Sequence, residues 1–137
     1  MTSSHVVTSV DPFDLPDWLG SAPVVWTARS SVRGAHLVTG ALTGATGEHE
    51  RSSDDSIACD LLAADLAYPG PVLEDRWRRA AHQAWTHAQV LLVEYDGRLT
   101  LAVPGSGFTA DLVLETLSRL AKAVGVSPEQ FVAALQL

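Results

Sequence analysis

One cysteine, one lysine and one methionine stand among 137 residues, and these scarcities exclude several classes of protein. A single thiol, Cys59, cannot close an internal disulfide or build a Cys-rich zinc site. No segment approaches the ~20 consecutive apolar residues that a membrane-spanning helix requires. The stretch Met1 to Val10 has neither a basic region nor a long apolar run, so a cytoplasmic protein is expected. Positive charge is also scarce: the formal net charge is −7, and residues 1–70 carry nine acids against three arginines. An acidic chain repels phosphate backbones and anionic headgroups, which argues against nucleic-acid and membrane partners. The densest basic cluster, Arg76, Arg78 and Arg79, sits beside Glu74 and Asp75.

What is present is a core. Apolar residues make up 47% of the chain, and a chain of this length buries roughly two-thirds of its unfolded surface. A single domain over 1–137 is expected, with a loose N-terminal arm (about 1–10) and a mobile polar loop at 44–55. Eight arginines to one lysine, with abundant alanine, is the usage of a high-GC bacterial genome.

Local patterns place the elements. Pro12 and Pro16 forbid a long helix near the start, and a single helical turn at Pro16–Leu19 is expected. Val24 to Ala28 reads as a strand. Val32 to Thr43 reads as a longer one, with Gly34 and Gly40 marking a bulge or strong twist. Ile57 to Ala64 is a third strand, with Ile57, Cys59, Leu61 and Ala63 on one face and Asp60 on the other. Tyr68-Pro69-Gly70-Pro71 breaks the chain and opens a helix running to about Gln89. Its stripe is Leu73, Trp77, Ala80, Ala81, Ala84, Trp85 and Ala88, with Glu74–Arg78 and Asp75–Arg79 as i,i+4 pairs. Asp96-Gly97 between two β-type runs predicts a two-residue type I′ hairpin pairing Leu92 with Leu101 and Tyr95 with Arg98. Thr109 caps a helix that Gly125 ends. Ser127-Pro128-Glu129-Gln130 is a capping box that opens a short final helix burying Phe131, Val132 and Leu135. The fold class expected from this order is α+β: an antiparallel sheet of about five strands, with the helices packed mainly on one face.

No catalytic set assembles from spacing alone. His82 and His87 are five apart, about 140° around a helix, whereas a two-histidine metal grip needs a spacing of three or four. Pro104-Gly105-Ser106-Gly107-Phe108 lacks the lysine and the glycine spacing of a phosphate-binding loop. No metal or cofactor is expected. Trp18, Trp26, Trp77 and Trp85 are many tryptophans for this length, and tryptophan is favoured at interface hot spots. Trp77, His82, Trp85, His87 and Tyr95 are therefore the candidate binding residues.

The segment Asp96-Gly97-Arg98-Leu99-Thr100-Leu101-Ala102-Val103-Pro104, followed by Phe108-Thr109-Ala110-Asp111-Leu112-Val113-Leu114-Glu115, resembles the hairpin and capped helix of the small type III secretion chaperones and of YbjN-like domains. The short, proline-broken first helix and the extra helix after Gly125 depart from that pattern. The resemblance implies a sheet with helices on one side, a dimer and protein-binding work, and it transfers no functional residue.

Two classes of function follow. The first is a non-catalytic protein-binding module of chaperone, adaptor or regulatory type, with a protein partner and a homodimer as the simplest way to cover surplus apolar surface. The alternative is a small enzyme or small-molecule binder whose cleft uses His82, His87, Asp60 and Asp65, with Cys59 as a nucleophile. The enzyme reading requires at least two of these groups to converge in a concave pocket.

Overall fold

The computed structural model describes residues 7–20, 23–29, 36–44, 56–65 and 73–134. Its framework is one mixed sheet of eight strands among the described residues. These are β1 (Val7–Ser9), β2 (Val24–Ala28), β3 (Leu37–Val38), β4 (Gly40–Gly44), β5 (Ser56–Ala64), β6 (Leu91–Tyr95), β7 (Arg98–Pro104) and β8 (Phe131–Ala134). The order across the sheet is β1-β6-β7-β5-β4-β2-β8, with β3 also paired to β5. Two α-helices accompany it, α1 (Asp75–Thr86) and α2 (Ala110–Ala123).

The expected antiparallel five-strand sheet with helices on one face is thus corrected, for three physical reasons. Val7–Ser9 is not a free arm but pairs antiparallel with β6. The capping box at Ser127 closes a single 3-10 turn, Pro128–Gln130. The chain then leaves as a strand, because Phe131 and Ala133 alternate into the core while β8 runs parallel to β2. Finally, α1 and β6 carry the chain from β5 to β7, which lies beside β5 and parallel to it. Two further expectations shift: α1 starts at Asp75 and ends at Thr86, and Arg78 pairs with Asp75 rather than Glu74. The break at 68–71, the loop residues 45–55, the start of the second strand at 32–35 and Leu135 lie outside the described residues.

Strand alternation sends two apolar sets to opposite faces. Trp26, Val38, Leu42, Cys59, Leu61, Leu92 and Leu101 share a core with Val113, Leu117 and Leu120 of α2. Leu62, Ala64, Val93, Tyr95 and Ala102 pack on the other face with Leu73, Trp77 and Ala81 beneath α1. One helix therefore lies on each face. α2 starts where the Thr109 hydroxyl accepts from the Leu112 N–H at 3.1 Å, and the chain leaves it through Gly125 at φ 88°. The hairpin has the expected register, Leu92 opposite Leu101 and Tyr95 opposite Arg98. Asp96 (φ 56°) and Gly97 (φ 79°) are both left-handed, as a type I′ turn demands.

Candidate functional site

The most unusual local geometry lies where β3 gives way to β4. Both pair with β5 in one register: Leu37 opposite Leu62, Val38 opposite Leu61, Ala41 opposite Ala58 and Leu42 opposite Ile57. The ladder lapses at Thr39 and Gly40. His36 C=O accepts from Ala63 N–H at 2.7 Å, and exchange pairs recur at every second residue of an antiparallel ladder. Gly40 and Cys59 should therefore exchange hydrogen bonds. Instead, side chains satisfy Gly40 N–H, Gly40 C=O and Cys59 C=O. Gly40 N–H donates to Asp60 Oδ1 at 3.1 Å, Arg98 Nη2 donates to Gly40 C=O at 3.2 Å, and Trp26 Nε1 donates to Cys59 C=O at 2.8 Å.

Each residue type is necessary at its position. Trp26 reaches β5 from β2 by lying across β4, which works only because residue 40 has no side chain. A Cβ there would come within 2.5–2.7 Å of the indole ring. Asp60, only 2% exposed, cannot remain unpaired at that burial. Arg98 clamps it from the neighbouring strand β7, with Nε to Oδ2 at 2.8 Å and Nη2 to Oδ1 at 2.9 Å. This bidentate fork fixes both groups and raises the Arg98 pKa above its ordinary value, so the guanidinium keeps its charge. The Arg98 side chain remains 41% exposed, and its charge reaches the surface.

That surface is the α1 side of the sheet, beyond the helix. α1 packs on β5, β6 and β7, and no described helix covers the same face of β4, β2 and β8. Beside the lapse in the ladder lies a hollow of ≈ 450 Å³, lined by Arg29, Thr39, Ala41, Ser56, Ala58 and Arg98. Arg29 has no ion-pair partner among the described residues. Beside the hollow, Thr27 of β2 lies opposite Ala41 of β4 and beside Ala134 of β8. Thr27 and Ala134 are exposed, and Val132 is 56% exposed.

The candidate binding residues from the sequence fall elsewhere and do not converge. Trp77 and Tyr95 are buried in the core under α1, and burial, aided by the nearby Asp96 charge, raises the Tyr95 pKa. Trp85 is half-buried, with the Arg119 guanidinium 3.7 Å from its ring centroid and donating to its backbone carbonyl. His82 and His87 are exposed on α1 and at its end, and His87 Nδ1 lies 2.9 Å from Gln83 C=O. Of the residues named for a cleft, Asp60 is engaged by Arg98. Cys59 faces the opposite core, where burial and then the Asp60 charge push its thiol pKa well up, so no nucleophilic thiolate is available there. Asp65 follows the end of β5. Among the described residues, no group of three or more His, Cys, Asp or Glu side chains could hold a metal ion, and no helix is long and apolar enough to cross a membrane.

Sequence reasoning missed Arg29, which reads as a turn residue, and the reach of Trp26 to β5. The signals were there in part: Asp60 is the one charge in an apolar strand, and Gly40 marked the break. Comparison of the chain with family models, with curated proteins and with solved structures found no match.

Proposed function

We propose that the protein is a non-catalytic protein-binding module of adaptor or chaperone type, and that its partner docks on the face of β4, β2 and β8 that no described helix covers. One observation carries this reading. Alternation places Val25, Thr27, Ala41, Thr43, Val132 and Ala134 on the face away from the α2 core, and none of them is charged in a chain that is 18% charged. Charge depletion at the centre of a patch is the compositional mark of a protein interface. Strand β8 adds to it. It ends the sheet order with the sequence Phe131-Val132-Ala133-Ala134, which lacks the charges and prolines that blunt edge strands against pairing.

The test is peptide display. A random peptide library is selected on immobilised wild-type protein and counter-screened on Val132→Glu, which places a charge on the exposed side of β8. Selected peptides should lose binding to the variant while its unfolding transition is unchanged. Binders indifferent to Val132→Glu would refute the docking face. A second copy of the chain is the homodimeric form of the same reading. Sedimentation at micromolar concentration detects it, and Val132→Glu should then yield a monomer.

A further inference from the structure

The hollow beside the lapse in the β4–β5 ladder has a chemistry that a docking face does not need for itself. We infer that it is a carboxylate-binding subsite, and that the segment docking on the open sheet face presents an acidic side chain to Arg29 and Arg98. This inference rests on the docking reading above and names the chemistry of the partner.

Four observations support it. Among the described residues, the hollow is lined by two guanidiniums, two hydroxyl-bearing residues and two alanines. Arg98 spends Nε and Nη2 on Asp60 and Gly40, and no hydrogen bond among the described residues uses Nη1. Arg29 brings a second positive charge that no ion pair among the described residues neutralises. Asp60, 2% exposed, is paired with Arg98 and leaves the Arg29 charge without an offset among the ion pairs of the described residues. The described lining of the hollow is thus net positive, on a chain whose net charge is −7.

The shape fits the same ligand. Ala41 lies opposite Ala58 and Thr27 opposite Ala41, so a row of small side chains leads from the open face to the arginines. Thr27 is exposed and Ala58 half-buried beside the buried Ala41, so a partner side chain can bring a carboxylate to the two guanidiniums from that side. Preorganisation is built in, because the Asp60 fork holds Arg98 in place before any ligand arrives. Charge-assisted hydrogen bonds of this kind are roughly twice as strong as neutral ones.

The experiment is an NMR titration of uniformly ¹⁵N-labelled protein with three probes: acetyl-Thr-Val-Glu-Val-Thr-amide, the same peptide with Gln in place of Glu, and sodium propionate. The Glu peptide should shift the amides of Arg29, Ala41, Ala58 and Arg98 and the Arg98 Nε–H resonance, and should bind at least ~10-fold tighter than the Gln peptide. Arg29→Gln should bring the two peptides to the same affinity without moving the unfolding transition. Glu and Gln peptides of equal affinity would remove the carboxylate subsite and leave the docking face standing. Propionate shifting Arg29 and Arg98 as strongly as the Glu peptide, with β2 and β8 amides unmoved, would remove the docking face and leave the anion site. Silence from all three probes would overturn the inference.

Discussion

Trp26 Nε1 reaches over Gly40 to donate to Cys59 C=O at 2.8 Å, so a side chain from β2 completes a hydrogen bond that β4 leaves open to β5. Gly40→Ala tests that contact. The new Cβ would fall within 2.7 Å of three ring atoms, and the ring cannot withdraw without releasing Cys59 C=O. A loss of roughly 1–3 kcal/mol is expected, the usual cost of overpacking, read from the denaturant midpoint. Trp26→Phe should cost about as much by orphaning a buried carbonyl. A Gly40→Ala variant as stable as wild type would show that the indole is not seated over β4.

The tight turn between β6 and β7 offers a second test. Gly97 adopts φ 79°, a region closed to β-branched residues. Gly97→Val should destabilise by roughly 1–3 kcal/mol, and an unchanged melting temperature would contradict the turn geometry.

Elements defined by local chemistry were legible in the sequence. Asp96-Gly97 specifies its own turn, Thr109 its cap, and the alternation through Ile57–Ala64 its faces. What escaped was non-local. Phe131-Val132-Ala133-Ala134 follows a helix-type capping box, and only pairing with β2 makes it a strand. Val7-Thr8-Ser9 is too short and polar to declare itself without β6. Arg29 and Arg98 are 69 residues apart in sequence, and they share a hollow because β2, β4, β5 and β7 are neighbours. That adjacency depends on strand order, which periodicity does not encode. The packing of the tryptophans also depends on partners distant in sequence: Trp77 lies in the core beneath α1, and the Arg119 guanidinium stacks on Trp85.

Trp85 yields a prediction of its own. With the Arg119 guanidinium stacked on its ring, Trp85→Ala should lower stability by roughly 0.5–2 kcal/mol through the lost cation–π contact and leave peptide binding unchanged. Loss of binding in a folded Trp85→Ala variant would return the interface to α1.

Alkaline pH probes the buried acids. The Cys59 and Tyr95 pKa values are both raised in the folded chain. Each group therefore contributes stability that is fully present below its unfolded pKa. As pH rises past about 8.5 the unfolded thiol ionises while the folded one does not, and stability should fall by up to ~1.4 kcal/mol per pH unit. Tyr95 adds to the slope above about 10. Cys59→Ala should remove the first part of the slope and Tyr95→Phe the second. Native Cys59 should also react with a thiol reagent only at the rate of unfolding, and a reaction complete within seconds at pH 8 would contradict its burial.

The most direct measurement maps where a partner lands. The tightest peptide selected by display on the wild-type protein is titrated into the ¹⁵N-labelled chain, and the shifted amides are placed on the fold. Shifts concentrated on Val25, Thr27, Ala41, Thr43 and Val132 are expected, with His82 and His87 unmoved. Shifts clustered on α1 around those two histidines, with β2, β4 and β8 silent, would contradict the proposal that the open sheet face binds the partner.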